Sequence, residues 1–124
     1  MKTIIAGTRK IEGLEGYQQV LTAVTESGFE ITQVVSGGAN GVDKLGELWA
    51  SRNKIGCRVF PAQWEKDGKA AGFKRNTRMA EYAEALIAVW DGESSGTRDM
   101  LEKAKKMGLN IYIHSVADWH GEST

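Results

Sequence analysis

The sequence predicts an α/β fold, a Rossmann-like three-layer sandwich around a five-stranded, mainly parallel sheet. Three observations predict it. Five short apolar runs alternate with four stretches whose apolar residues recur at helical spacing. Right-handed crossovers between parallel strands place every strand-to-helix loop at one edge of the sheet. The unusual local chemistry of the chain is confined to those loops: Gly7-Thr8-Arg9, Ser36 to Gly41, Pro61 to Asn76, and Asp91 to Thr97. In open α/β sheets, ligands bind outside the carboxyl ends of the strands, where the strand order reverses. One composite pocket is therefore expected at that edge.

Thr3 to Ala6 reads as a buried strand ending in the Gly7-Thr8-Arg9 loop. Leu14, Tyr17, Val20, Leu21 and Val24 then mark a helix closed by Gly28. Ile31 to Val35 is rich in β-branched residues and predicts the second strand. The next helix carries Val42, Leu45, Leu48 and Trp49 on one face. Asp43 lies in its first turn, where a carboxylate complements the helix dipole. Cys57 to Phe60 predicts a third strand, stopped by Pro61, and Ala62 to Phe73 reads as irregular. Phe73 to Ala83 has a helical pattern, and Ala85 to Val89 is the most apolar run, expected at the sheet centre. A helix with Met100, Leu101, Ala104 and Met107 on one face follows, capped by Gly108. Asn110 to Ile113 predicts the fifth strand, and residues from about 115 to 124 a polar tail anchored by Trp119.

The 124 residues suit one domain with a proper core. Lys plus Arg balances Asp plus Glu, 16 against 16, which argues against nucleic acid as a partner. Lys66, Lys69, Lys74, Arg75 and Arg78 nevertheless form a local basic segment. No apolar run approaches the ~20 residues of a membrane span, and MKTIIAGTRK is too short in apolar residues for a signal peptide. A single cysteine, Cys57, excludes an internal disulfide and fits a reducing, cytoplasmic compartment; it reads as a buried strand thiol. His114 and His120 show no metal-ligand spacing, so neither metal nor cofactor is expected. Trp49, Tyr82 and Trp119 on helix faces and the tail suggest a homodimer or larger homo-oligomer.

The stretch VVSGGANGVD, Val34 to Asp43, places three glycines between an apolar run and a helix. Glycine lets backbone reach positive φ and approach a ligand closely, and the helix N-terminus beyond offers unpaired amides. A tight turn without ligand has the same appearance. The dinucleotide fingerprint fails here: Ser36 replaces its first glycine, and Cys57 to Ala62 contains no carboxylate. Neither glycine-rich loop matches the P-loop pattern, and a Ser-His-Asp triad would depend on His114 or His120, both near the C-terminus.

Four motifs occur in order: GTR at Gly7, SGGANGVD at Ser36, W-x-x-x-G-x-A-A-G-F-x-R-N-x-x-M from Trp64, and WDG-x-S-x-G-T-x-x-M from Trp90. Together they resemble the SLOG superfamily, and within it the YspA-like, YpsA-related branch, over Ile4 to about Ile113. Relatives in that superfamily include the DNA-processing protein DprA, molybdenum-cofactor carrier proteins and the LOG phosphoribohydrolases. The resemblance implies a Rossmann-like domain that binds nucleotides or nucleotide-derived ligands at the carboxyl edge of its sheet. Gly37, Gly38 and Gly41 resemble the first glycine-rich loop of the family, and Gly96 and Thr97 the second, which cradles phosphate in LOG enzymes. Arg75, Asn76 and Met79 resemble the segment that brings an arginine towards substrate. Met100 stands where LOG-type enzymes carry their catalytic glutamate; Asp99 beside it is rotated by ~100° on a helix.

The candidate ligand-binding residues are thus Gly7, Thr8 and Arg9; Ser36, Gly37, Gly38, Ala39, Asn40, Gly41 and Asp43; Trp64, Arg75 and Asn76; and Asp91, Gly92, Ser95, Gly96 and Thr97. Loop amides and the Ser36 and Thr97 hydroxyls are expected to donate to phosphate or ribose, although Ser95 and Thr97 can equally cap a helix. Arg75 offers bidentate donors to phosphate, and Trp64 either stacks on a base or plugs its own loop. Two functions follow. The favoured one is a non-catalytic protein that senses, carries or sequesters a nucleotide-derived small molecule. The alternative is a LOG-like hydrolase cleaving an N-glycosidic or related bond, with Asp91 or Asp99 as acid–base residue; Asp91 would then need a desolvated carboxyl with a raised pKa.

Overall fold

A computed structural model describes residues 1–119. Five strands, β1 (Lys2–Gly7), β2 (Gln33–Ser36), β3 (Gly56–Val59), β4 (Ala85–Trp90) and β5 (Asn110–Ser115), form one sheet in the order β3-β2-β1-β4-β5. Every neighbouring pair is parallel, with Ile4 opposite both Val35 and Leu86 at the centre. The chain builds outward from β1 to β3, then returns past β1 to β4. Adjacent β1 and β4 are thus the switch point, where their carboxyl ends diverge towards helices on opposite faces.

The helices are α1 (Gly13–Ser27), α2 (Val42–Arg52), the short α3 (Trp64–Asp67), α4 (Ala71–Tyr82) and α5 (Ser95–Met107), with a 3-10 turn at Gly68–Ala70. The two-residue period of the strands divides the core between them. Ile5, Val34, Ile87 and Val89 face Tyr17 and Val20 of α1 and Val42, Leu45 and Trp49 of α2. Ile4, Ala6, Val35, Leu86 and Ala88 face Met79 and Ala80 of α4 and Met100, Leu101 and Ala104 of α5. This is the three-layer sandwich expected from the alternating pattern. Helix α2 lies very close to the sheet because Gly46 has no side chain: a Cβ there would stand 2.9 Å from Ile5.

The helical faces differ from expectation in detail. Leu14 and Leu21 of α1 and Leu48 of α2 are exposed, while small Gly16 and Ala23 complete the buried stripe of α1. Hydrophobicity alone selected the larger residues; close helix approach selects the smaller ones. The segment expected to be irregular between Ala62 and Phe73 holds α3 and the 3-10 turn, and α4 begins two residues before Phe73. Gly68 at φ 57° separates the two short elements, a conformation poorly matched to any periodic pattern. Gly28 and Gly108 close α1 and α5 in the left-handed conformation, as their positions predict. Trp119 does pack against the α1/α2 side of the core, whereas His120 and the rest of the tail lie outside the described residues.

Cys57 is a correction. It is exposed, because β3 is an edge strand and every one of its residues lies open to solvent. The apolar look of the run comes from Val59 and Phe60, and only Phe60 is buried. Partial desolvation and the Glu47 carboxylate push the Cys57 thiol above its usual pKa. In the folded protein it is therefore expected to react to completion with a disulfide reagent at pH 8, more slowly than a free thiol. Absence of reaction until denaturant is added would contradict the exposed placement. Of the aromatics expected at a pairing face, Trp49 is buried in the core, while Trp119 packs against it and stays partly exposed. No described helix is long and apolar enough to cross a membrane.

Candidate functional site

Thr8 ties the switch point together. Its amide donates to Val89 O at 3.0 Å, its carbonyl accepts from the Val42 amide at 3.2 Å, and its hydroxyl oxygen accepts from the Asp91 amide at 3.1 Å. One buried residue thereby links the end of β1, the end of β4 and the first turn of α2. The close approach requires glycine at two places. A Cβ on Gly7 would lie 2.0 Å from Val89 O, and one on Gly41, at φ 82°, would lie 2.5 Å from Thr8 O. These two glycines are explained by backbone packing, independent of any ligand.

The Ser36 to Gly41 loop is held from within. The Ser36 hydroxyl donates to Glu47 Oε2 at 2.7 Å and accepts from the Gly38 amide at 3.1 Å. The Ala39 amide donates to Asp43 Oδ2 at 3.1 Å. Arg75, buried on α4, donates through Nη1 to Gly37 O and through Nε to Asn76 Oδ1. Ser36 and the Gly38 and Ala39 amides are therefore engaged in shaping the loop. The Gly37 and Asn40 amides have no partner among the described residues. Arg75 is corrected from a free bidentate donor to a clamp whose Nη2 remains open, since its other nitrogens already hold the loop and Asn76.

Above the β1 and β4 ends lies a chamber of ≈ 570 Å³. It brings together Gly7, Thr8 and Arg9, Ala39 and Asp43, Trp64, Arg75 and Asn76, and Asp91, Ser95, Gly96 and Thr97. Its floor is apolar, from Ala6, Met79 and Met100, the last almost wholly buried. A second chamber of ≈ 410 Å³ opens beside it over Gly37, Gly38, Ala39 and Asn40. Arg9, Ala39, Trp64 and Arg75 line both. Gly41 and Gly92 line neither, and Gly92 at φ 85° serves the turn after β4. Trp64 is more than half exposed, so it stands at the rim as an open aromatic face and does not plug its loop.

Sequence reasoning missed Lys10 and Lys69 as cationic walls of the larger chamber. Lys10 directly follows the GTR motif, and Lys69 lies on the 3-10 turn hidden in the segment read as irregular. It also missed the special standing of Asp43. Burial raises this carboxyl from 3.8 to about 6, outweighing the Ala39 hydrogen bond and the Arg75 charge that favour its ionised form. Arg75 is itself lowered from its usual range, first by burial.

Both carboxylates expected to act as acid–base residues are corrected. Asp91 has little burial to raise it, and hydrogen bonds from the Ser94 and Glu93 amides and the Thr8 hydroxyl, with the Lys10 charge, bring its pKa below the usual value. Its Oδ1 accepts from those amides at 2.9 and 2.8 Å, so it fixes the turn entering α5. Asp99 accepts from Asn76 Nδ2 at 3.0 Å and Lys103 Nζ at 2.8 Å, joining α4 to α5. It does not line the chamber. Among the described residues no cluster of three or more His, Cys, Asp or Glu side chains could hold a metal ion.

Comparison with known proteins agrees with this architecture. The chain is 38% identical over 84 residues to the Gene 61 protein of Mycobacterium phage D29, covering 63% of this chain and 67% of that one. It is 54% identical over 36 residues to the SPbeta prophage-derived protein YoqJ of Bacillus subtilis strain 168, a match covering 29% of this chain and 21% of YoqJ. The fold is similar to the X-ray structure of DNA processing protein A (DprA) from Streptococcus pneumoniae, with a TM-score of 0.72 at 17% identity. That likeness spans 94% of this chain and 52% of DprA, about half its length. Residues 1–66, from β1 through the glycine loop to the start of α3, match the YspA, cpYpsA-related SLOG profile. With more than half of its length matched, this chain belongs to the YspA, cpYpsA-related SLOG family.

Proposed function

We propose that this protein binds a nucleotide or nucleotide-derived small molecule at the carboxyl edge of its sheet, as a sensor, carrier or sequestering protein, and releases it unchanged. One observation carries the reading. The larger chamber combines cationic walls and an exposed aromatic rim with an apolar floor that includes Met100, the residue which the motif resemblance aligns with the LOG catalytic glutamate. Arg9, Lys10 and Lys69 supply charge for phosphate, and Trp64 supplies a face for a base. Asp91 and Asp99 are occupied with backbone and side-chain partners, which leaves them poorly suited to proton transfer.

A second reading, hydrolysis, is favoured by a different residue from those first considered. Asp43 lines the chamber, and a carboxyl titrating near 6 suits a general acid or base. Incubation with a panel of purine and pyrimidine nucleotides, followed by mass spectrometry of the mixture, separates the readings. Saturable binding with every nucleotide recovered intact is expected. Release of base or ribose phosphate by wild type, abolished in Asp43→Asn, would replace the binding reading with the enzymatic one.

A nucleic-acid role of the kind DprA's name describes receives little support from the basic segment. Arg75 is buried, Lys74 pairs with Asp67 at 3.2 Å, and Arg78 donates to Pro61 O at 3.2 Å. These contacts engage Arg75, Lys74 and Arg78, whereas Lys66 and Lys69 of the same segment are exposed.

A further inference from the structure

We propose that the smaller chamber is a second anion subsite, so that the site takes a nucleoside diphosphate conjugate in preference to a mononucleotide. The inference rests on the nucleotide-binding reading above and concerns which nucleotide. The carboxylates of the site are distributed unevenly: Asp43, Asp91 and Glu93 all face the larger chamber. The smaller one is lined by Arg9, Lys44 and Arg75 and by no carboxylate. The lining of the smaller chamber is therefore the more cationic, although Glu47 stands 3.7 Å from Lys44 and Asp43 holds the Ala39 amide from behind the loop, while the larger one also offers acceptors for sugar hydroxyls or base amino groups.

The wall that the two chambers share is suited to hold an anion. Arg75 is more than nine-tenths buried, and its guanidinium is fixed by Gly37 O and Asn76 Oδ1. Its side chain borders both chambers, and its Nη2 has no partner among the described residues. An immobilised guanidinium with an unused nitrogen loses little freedom when it binds phosphate. Arg9 and Trp64 line both chambers as well. The size agrees: 570 Å³ alone lies within the range of about 300–1,000 Å³ typical of small-molecule sites, and a further 410 Å³ leaves room for a second group. A pyrophosphate crossing at Arg75 would set the nucleoside in the larger chamber and its β-phosphoryl substituent in the smaller.

Lys44 makes the test specific. It lines only the smaller chamber, is largely exposed, and its 3.7 Å approach to Glu47 is a surface pair of little worth to stability. Titration calorimetry with AMP, ADP and ADP-glucose, and with GMP, GDP and GDP-mannose, is run on wild type and Lys44→Glu. In the preferred base series, the diphosphate and its conjugate are expected to bind wild type about tenfold or more tightly than the monophosphate. Lys44→Glu should remove that preference and leave the monophosphate unchanged. Equal affinity for all three ligands in wild type, or equal weakening of all three in the variant, overturns the second subsite while nucleotide binding stands. Absence of binding by every nucleotide overturns both.

Discussion

Gly7→Ala is expected to destabilise the protein by about 3 kcal/mol or more, the upper end of what one added methyl does in a tightly packed core. The new Cβ would lie 2.0 Å from the Val89 carbonyl oxygen and 3.0 Å from the Val42 side chain. Neither neighbour can yield cheaply. Val89 belongs to β4, and its carbonyl accepts the Thr8 amide that joins the two central strands. Displacing it also disturbs the Thr8 hydroxyl contact to Asp91 and the Val42 bond that seats α2. Folding and the entry to the larger chamber are thus coupled at one backbone crossing. Urea unfolding should show a lower midpoint with an unchanged slope. Gly96→Ala is the matched control: a Cβ at Gly96 would meet no heavy atom within 4 Å, and the residue sits in α5, so the midpoint should hold or rise. A Gly7→Ala midpoint equal to wild type would refute the crowding at the switch point.

The sheet was legible because its signals are local and redundant. Ala85 to Val89 is apolar on both faces, as a central parallel strand must be, and it is wholly buried between two helical layers. Gly28 and Gly108 marked helix ends through a backbone requirement that no other residue meets as well. Cys57 to Phe60 misled because edge position is a property of the whole sheet order, which a run of four residues does not contain. The gathering of loops at one edge was legible for the same topological reason as the strands. Roles within the loops were less so. Ser36, Asp91 and Asp99 have the chemistry of a site, but hydrogen bonds to Glu47, Ser94 and Asn76 commit them to structure. Which polar group is left over depends on its partners, and those come from elements far apart in sequence. Asp43 shows the converse. Its place in the first turn of α2 suggests a dipole partner at a helix surface; desolvation comes from the loop and Arg75 folded over it.

Asp43→Asn should therefore change how stability depends on pH. The carboxyl titrates near 3.8 when the chain is unfolded and at about 6 in the folded protein. Between those values the folded state binds the proton more strongly, so this group's contribution to stability is greatest at low pH and is lost as pH rises towards 6. A shift of this size corresponds to a free energy on the order of 3 kcal/mol. Asparagine cannot titrate and can still accept the Ala39 amide. The stability of Asp43→Asn relative to wild type should accordingly rise between about pH 4 and 6 and level off above. Asp91, whose lowered pKa works in the opposite direction, is present in both proteins and drops out of the difference. A nucleotide that donates a hydroxyl to the ionised carboxylate adds a second readout. Its affinity for wild type relative to the variant should then increase through the same pH interval, because binding favours the deprotonated carboxyl and the ligand's own phosphate titration cancels in the ratio. A stability difference that does not vary with pH would show that Asp43 titrates alike in the folded and unfolded chain, and that the chamber does not desolvate it.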